Sequence, residues 1–491
     1  MRQRFEQQYL LGVLPICEVK IKTKSRDELP PVLVALQQIY VTPELNEPIF
    51  ALLEEKIIKT KKKTGRPGMN LWHILVLAIV RHTLNTNWDR MEYLSNNDTS
   101  LRKIMGVHIE KFGIEEMEFA YQTIVDNVKL IDEEMLQTIN DIVVAYGQNL
   151  FKKKDELPVA LELKTDSFAV ETNVHFPTDL NLLYDSLRKG IETICLMCKE
   201  DITIKGWRKY KSIIGDAKSL FRTASHQVFR GRNETEKILS VKNYLQRAKA
   251  INTRLEAVRS ASASTITTAV LQSYIAYITK FIDQIDRRIL KGEVIPSEEK
   301  IFSIFEPHTE WLTKGKLNKK VELGHLVMIT TDQYSFIVDY KVMEKQKDAQ
   351  QIQGLSERIK TKFADATICS HSFDKGYWSK ENLEILNAQG IETVVLPKRG
   401  RHTKEDNERE EEANFKLLKR KHSAVESNIN MLEHHGLNRC PDKGLQHYKN
   451  YVGLSVLAYN IHQLGNKIVA IKNKEEERKI LKLRRLLKAA A

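Results

Sequence analysis

Two short stretches in which apolar and polar residues alternate constrain the fold of this chain more than any other feature. In the first, Leu161 and Leu163 alternate with polar residues and lead into Asp166. In the second, residues 325–342, turn-forming residues interrupt the alternation near Asp332, which predicts a β-hairpin. Because alternation with a period of two predicts strands with one buried face, the fold must bring together strands that are far apart in sequence.

Helical periodicity surrounds and separates these strands. Apolar residues recur at three- and four-residue spacing through about the first 150 residues, and again from about residue 181 to residue 295. The longest apolar run, "LWHILVLAIV", ends at Arg81 and is too short to cross a bilayer. It predicts a buried helix, and we expect no association with a membrane.

Further elements follow the hairpin. "DATICSHSF" predicts a strand, Ser379 and Gly390 delimit a helix, "IETVVLP" predicts another strand, and one highly charged helix is expected at about residues 407–435. We therefore predict an α/β fold with a mixed sheet, an all-α N-terminal domain and a long helical insertion after the first core strand. The predicted parts are an N-terminal domain at 1–150, a core at 151–180 and 300–465, an insertion at 181–299, and a basic tail at 466–491.

The composition favours a globular protein that binds polyanions. A hydrophobic content of 42% and a charged content of 29% are typical of folded domains, and the formal net charge is +13. This charge favours nucleic acid as the partner, ahead of an anionic membrane surface. The cysteine count is odd and the first residues lack a signal-peptide pattern, so we expect reduced thiols in the cytoplasm. Cys195 and Cys198 have zinc-ligand spacing but no matching second pair, and are interpreted as half-buried.

Three acids lie where the predicted core elements converge. Asp166 is predicted to end the first strand, Asp374 follows a later strand, and Glu426 lies on the charged helix. Ligand sites of open α/β sheets lie at strand ends, and carboxylate oxygens suit Mg²⁺ or Mn²⁺. Two such ions would support phosphodiester chemistry. Each acid also has a structural interpretation, as a turn cap for the two aspartates and as a solvated side chain for Glu426.

Four sequence blocks carry a resemblance to a known family: "KTDSFAVETNVHFPTDLNLL", "FSIFEPHTEWLTKGK" with "ELGH", "SFDKGYW" and "SAVESNINMLEHHGLNRCPDKG". They resemble the bacterial insertion-sequence transposases of the DDE type, most closely the group catalogued as not classified yet (ISNCY). The N-terminal "GRPGMNLWHILVLAIVRHTLNTNWDRMEYLSN" is similar to the helical, DNA-binding leader of the same group. The blocks occur in the family's order and span nearly the whole chain.

The resemblance implies an RNase H-like core, similar to that of retroviral integrases, in which Asp166, Asp374 and Glu426 are the catalytic acids and hold two Mg²⁺ or Mn²⁺ ions. The implied activity is cleavage of DNA at terminal inverted repeats, followed by strand transfer from the freed 3′ hydroxyl. The implied partners are double-stranded DNA, both transposon ends and target, and further copies of the chain in a homodimer or larger assembly. The implied location is the bacterial cytoplasm, at the nucleoid.

Two other functions remain open from the sequence. One is a metal-dependent endonuclease without strand transfer, and the other is a catalytically silent DNA-binding protein derived from a transposase. One departure from the family concerns positive charge: many relatives have Tyr seven and Arg four residues before the glutamate and Lys seven residues after it, where this chain has Lys419, His422 and Glu433.

The candidate DNA-binding residues fall into three groups. The insertion interleaves basic and aromatic side chains, which suits unpaired bases and phosphates, although aromatic and basic residues at helical spacing more often form a core and a surface. A basic loop follows the strand after Asp374, and further basic residues follow Glu426. In chain order the candidates are Trp207, Arg208, Arg230, Arg232, Lys398, Arg399, Arg401, Arg439 and Lys443.

Overall fold

The computed structural model describes residues 2–5, 12–58, 68–109, 117–152, 160–263, 265–313 and 321–489. Helices predominate. In chain order they are α1 Leu29–Val41, α2 Pro43–Leu53, α3 Leu71–Thr83, α4 Trp88–Asn97, α5 Thr99–Met105, α6 Tyr121–Val128, α7 Glu133–Phe151, α8 Asp179–Glu200, α9 Tyr210–Arg230, α10 Glu234–Ala261, α11 Ile266–Ile285, α12 Ile352–Lys362, α13 Lys380–Asn387, α14 Lys404–Glu411, α15 Ala413–Lys421, α16 Ala424–Leu432 and α17 Leu445–Ala489. The strands are β1 Ala160–Thr172, β2 Glu310–Leu312, β3 Glu322–Thr331, β4 Ile337–Val342, β5 Thr367–Phe373, β6 Thr393–Val395 and β7 Arg439–Cys440.

The chain divides into two compact units. The first comprises residues 1–171 together with 324–491, and the second comprises residues 172–323. The predicted insertion therefore lies in the second unit, whereas the predicted N-terminal domain and tail lie in the same unit as most of the core. None of the described helices has the length and apolar character needed to span a membrane.

A mixed sheet forms the centre of the first unit. β1 pairs in antiparallel fashion with β3 and in parallel fashion with β5. β4 continues the sheet beyond β3 as an antiparallel neighbour, and β6 continues it beyond β5 as a parallel one. The order β4, β3, β1, β5, β6 confirms the predicted α/β class with a mixed sheet.

The two faces of β1 bury different partners. Leu161 and Leu163 belong to a core cluster that includes Leu355 of α12. Phe168, by contrast, packs with Val425 of α16 in a separate cluster. Successive strand residues point to opposite faces, so the sheet separates α12 from α16. Burying each of these apolar side chains is worth about 1.5–3 kcal/mol relative to its exposure.

The β3–β4 hairpin confirms the turn predicted near Asp332. The Asp332 carboxylate oxygen Oδ1 accepts hydrogen bonds from the backbone N–H groups of Tyr334 and Phe336, both at 2.9 Å. Ser335 occupies the left-handed region with φ of 65°. Because Asp332 accepts from two N–H groups of its own turn, the turn is stabilised by residues close in sequence, and the sequence pattern could therefore predict the turn.

Helix α17 connects the N-terminal helices to the sheet. The Asn460 side chain donates to Asn140 Oδ1 of α7 at 2.6 Å and to the Ile337 carbonyl of β4 at 2.9 Å. Ser455 of the same helix contacts His82 Nδ1 of α3 at 2.8 Å. Because these polar groups are buried and paired, they fix the orientation of α17 between the N-terminal helices and the sheet.

The second unit contains helices α8 to α11. A reciprocal capping box at Thr178 and Asn181 begins α8, and its apolar side chains pack with those of α10 and α11. Cys195 and Cys198 of α8 are free thiols of intermediate exposure, as the sequence indicated, and burial raises the pKa of each. Raised thiol pKa values disfavour the thiolate form that metals and electrophiles require.

The prediction of one charged helix at about residues 407–435 is wrong. Three helices, α14, α15 and α16, occupy this segment. The first break is at Glu412, whose φ of −52° and ψ of 136° are extended. A second interruption at His422 and Ser423 separates α15 from α16. Pattern alone did not reveal these breaks because every residue involved is compatible with a helix.

Candidate active site

Asp166 lies on β1, and Asp374 directly follows β5, the parallel neighbour of β1. The register of β1 and β5 places Thr165 opposite Phe373, and Asp374 continues the strand with an extended backbone, φ −78° and ψ 164°. Asp166 and Asp374 therefore follow in the same register, on chains about 4.8 Å apart. The prediction that Asp166 ends its own strand is wrong, because pairing with β3 keeps β1 extended to Thr172. It is β5 that ends beside Asp166.

Both aspartates are on the sheet face that α16 covers. Asp166 is two residues before Phe168, which packs against Val425 of α16. Asp374 is two residues after Ser372, whose hydroxyl contacts His422 at the start of the same helical segment. Since strand residues two apart share a face, the two carboxyl groups project toward this segment.

Two polar contacts also attach the helical segment that carries Glu426 to the sheet. His422 Nδ1 lies 2.9 Å from Ser372 Oγ of β5, and Lys421 Nζ lies 3.2 Å from Glu162 Oε2 of β1. Glu426 follows His422 by one helical turn, and its backbone N–H donates to the Ser423 carbonyl at 3.1 Å. Glu426, the third predicted acid, is thus exposed at the start of α16. It lies one turn after His422, which contacts the strand that leads into Asp374.

Burial controls the charge of the groups around the acids. It lowers the pKa of His422 to about 4, although the Asp374 carboxylate partly opposes this shift. The His422 imidazole is therefore neutral at pH 7. Burial also lowers the pKa of Lys164, which lies two residues after Glu162 on β1.

The donor chemistry fits a hard divalent cation, but the described residues do not contain a ready-made group of three metal-binding side chains. Asp166 is half-buried, while Asp374 and Glu426 are exposed. Carboxylate oxygens of this kind suit Mg²⁺ or Mn²⁺, which also retain water and substrate oxygen as ligands. In such a site the two aspartates would form the part held by the sheet, and Glu426 would contribute from the exposed start of α16.

Similarity to known proteins adds no information about this site. No family model, curated protein or solved structure matches this chain.

The basic loop after β6 contains one paired residue and two free-standing ones. Lys398 forms an ion pair with Asp406, and its backbone N–H donates to Glu410 Oε1 at 2.7 Å. Arg399 and Arg401 are exposed. Lys398 thus stabilises the loop, whereas the two arginines are available to an anionic ligand.

Arg439 and Lys443, the candidates that follow Glu426, are both exposed. The Arg439 guanidinium contacts Glu171 Oε2 at 3.1 Å and remains 54% exposed. An ion pair this exposed is weak, so Arg439 can exchange its carboxylate partner for a phosphate.

The candidates in the second unit divide by side-chain type. The Trp207 ring is only 4% exposed, and the Arg254 guanidinium lies over it at 4.4 Å from the ring centroid. This arrangement corresponds to the alternative in which the aromatic side chains face the helical core. Arg208, Arg230 and Arg232 are exposed.

Sequence reasoning missed Asp348, a fourth acid near the first two. Its Oδ1 accepts a hydrogen bond from Ser167 Oγ at 2.7 Å, and Ser167 follows Asp166 directly. Asp348 begins a short 3-10 turn that ends at Gln351, between β4 and α12. No local pattern marks it, because its importance comes from a contact with a residue 181 positions away.

Proposed function

We propose that this chain is a DNA transposase of the DDE type, which cleaves DNA at the ends of an insertion sequence and joins the freed 3′ hydroxyl to target DNA. The observation that carries the proposal is the parallel register of Asp166 and Asp374 beneath the helical segment of Glu426. The net charge of +13 supports a polyanionic substrate.

An RNase H-like core is the finer fold that we propose. Its support is a central strand that carries the first acid between an antiparallel hairpin and a parallel strand that carries the second. Helix α16, which carries the third acid, covers the face toward which both aspartates project. This relationship supports a shared site for acids whose first member, Asp166, precedes the second by more than 200 residues in the chain.

In the proposed mechanism, Asp166, Asp374 and Glu426 would hold Mg²⁺ or Mn²⁺. Such ions lower the pKa of a bound water or 3′ hydroxyl and stabilise the leaving oxygen. The aspartates on β1 and directly after β5 would set the position of the reacting phosphate, because strand pairing restrains β1 and the end of β5. Arg399 and Arg401 would hold phosphate oxygens of the bound DNA with charge-assisted hydrogen bonds.

The direct experiment replaces each acid with its amide: Asp166→Asn, Asp374→Asn and Glu426→Gln. We expect DNA binding to remain within about twofold of wild type and Mg²⁺-dependent cleavage to fall by more than about 100-fold, since metal affinity depends on each charged ligand. Asp365→Asn is the matched control, because Asp365 is an exposed aspartate just before the opposite end of β5. An amide variant that cleaves at a near wild-type rate would refute the assignment.

Two further assays separate the proposal from its rivals. An endonuclease without strand transfer would produce cut ends and no joined products with a target plasmid. A silent DNA-binding protein would protect the terminal repeats in a footprint and give no Mg²⁺-dependent product. We also propose that two or more chains assemble on paired ends, and sedimentation of the DNA complex with a single chain per complex would contradict this.

A further inference from the structure

A carboxylate on the opposite side of the sheet contacts the strand of Asp166. Ser167 points away from the face of Asp166 and is 6% exposed. Its hydroxyl donates to Asp348 Oδ1 at 2.7 Å. Asp348 is therefore attached to β1 one residue after the first predicted catalytic acid.

The same carboxylate lies against the turn that follows Asp374. A Cβ atom added to Gly376 would lie 3.0 Å from Asp348 Oδ2, so the carboxylate touches the backbone of this turn. The turn is closed by the Tyr377 N–H, which donates to the Asp374 carbonyl at 3.2 Å. Tyr377 is fully buried, and burial together with the nearby carboxylate of Asp348 raises its pKa.

A second side chain connects the two turns. The Asn382 amide donates to the Ala349 carbonyl and to the Tyr377 carbonyl, both at 2.8 Å. Asn382 is itself held by the N-cap of α13, since its backbone N–H donates to Ser379 Oγ at 3.0 Å. The turn that begins with Asp348 and the turn that follows Asp374 are thus held together from two sides.

We propose that Asp348 is a positioning residue, which keeps Asp374 in register with Asp166 by bridging Ser167 and the turn at Gly376. This inference rests on the proposed function for its catalytic consequence. Asp348 acts through contacts on the face opposite to the catalytic acids, so it is not itself a ligand for the ions. Its carboxylate is needed as a hydrogen-bond acceptor rather than as a charge.

The distinguishing variants are Asp348→Ala, which removes the acceptor, and Asp348→Asn, which keeps an acceptor oxygen and removes the charge. Ser167→Ala removes the donor from the other side of the contact and leaves Asp348 intact. Asp365→Ala is the control for loss of an aspartate from the surface. Each full-length variant is compared in the metal-free form by hydrogen exchange of a peptide covering residues 373–379, and then by Mn²⁺ binding measured from the free-ion electron paramagnetic resonance signal.

We expect Asp348→Ala to accelerate exchange at the Tyr377 amide by more than about tenfold, the scale of losing a hydrogen bond to a charged group. Ser167→Ala should change exchange in the same direction, and Asp348→Asn should remain near wild type. Half-saturation by Mn²⁺ should require several-fold more ion in Asp348→Ala, with DNA affinity unchanged.

Two results would overturn the inference. Unchanged exchange in both Asp348→Ala and Ser167→Ala would show that the bridge does not hold the turn. Equal losses of Mn²⁺ binding in Asp348→Asn and Asp348→Ala, with normal exchange in Asp348→Asn, would make Asp348 a ligand instead. Failure of the proposed function is distinguishable, because wild type would then bind no Mn²⁺ at this site while the exchange experiment still tests the bridge.

Discussion

The imidazole Nδ1 of His422 lies 2.9 Å from Ser372 Oγ, and this contact joins the helical segment of Glu426 to β5, the strand that leads into Asp374. Ser372 lies two residues before Asp374, and His422 lies four residues before Glu426. The hydroxyl of Ser372 is also 3.4 Å from the Leu163 carbonyl of β1. One small polar contact therefore links all three elements that carry the proposed catalytic acids.

We predict that His422→Ala lowers Mg²⁺-dependent cleavage by about 10- to 100-fold, since a displacement of about 1 Å in a catalytic group has effects on this scale. DNA affinity should change by less than about twofold, because the half-buried imidazole is neutral and makes its contact inside the protein. Single-turnover cleavage and a separate binding assay provide the measurement. Lys419→Ala, on the exposed side of α15, is the control. If His422→Ala lost as much DNA affinity as cleavage activity, a positioning role for His422 would be contradicted.

Acid should destabilise the first unit through a buried pair, His435 and His462. Their rings lie 3.3 Å apart between His462 Nδ1 and His435 Nε2, and burial lowers the pKa of each to about 4. The unfolded chain takes up protons near the ordinary pKa of about 6.5, so stability is fully present above that pH and is lost as pH falls toward 4. Between pH 7 and pH 5 each histidine should cost about 2 kcal/mol of unfolding free energy.

The measurement is denaturant unfolding of wild type and His462→Gln at pH 7 and pH 5. The variant should lose less stability on acidification than wild type does. His447→Gln is a matched control, because His447 is an exposed histidine of the same helix. An identical pH-dependent loss in His462→Gln and wild type would show that this pair does not carry the effect.

The parts of the fold that sequence predicted correctly depend on local chemistry. The hairpin turn follows from an aspartate that accepts two loop N–H groups, and α13 begins at the Ser379 cap, which accepts from Asn382 N–H at 3.0 Å. Gly390 follows α13 with φ of 75°, a conformation that favours glycine. Such signals lie within a few residues of the feature that they determine.

The parts that sequence did not predict depend on partners far along the chain. β1 continues past Asp166 because β3 pairs with it, and Asp348 is functional in our proposal because of Ser167. The basic segment around Trp207 predicted that this ring stacks on DNA bases, but the Arg254 guanidinium lies over the ring. The periodicity of one segment contains no information about which surface covers it.

In the basic loop after β6, we expect the exposed arginines to contribute to DNA binding and Lys398 to contribute to the stability of the loop. Arg399→Ala and Arg401→Ala should each weaken DNA binding and reduce the slope of log affinity against log salt by about one, as expected for one lost phosphate contact. Lys398→Ala should reduce the slope less and should lower thermal stability, because Lys398 is already paired with Asp406. Affinity measured over a series of salt concentrations tests this, and equal slope changes for all three variants would refute the distinction.

The same substitution at two helical glycines should have opposite effects on stability. At Gly465 of α17, an added Cβ would overlap the Pro31 carbonyl oxygen of α1, so Gly465→Ala must force the two helices apart. At Gly354 of α12 the nearest atom is Arg358 Nη1 at 3.6 Å, which is ordinary contact. We expect Gly465→Ala to lose about 1–3 kcal/mol of unfolding free energy and Gly354→Ala to gain about 0.5–1 kcal/mol from reduced chain entropy. Denaturant unfolding measures both, and a stabilised Gly465→Ala would mean that α1 and α17 do not approach this closely.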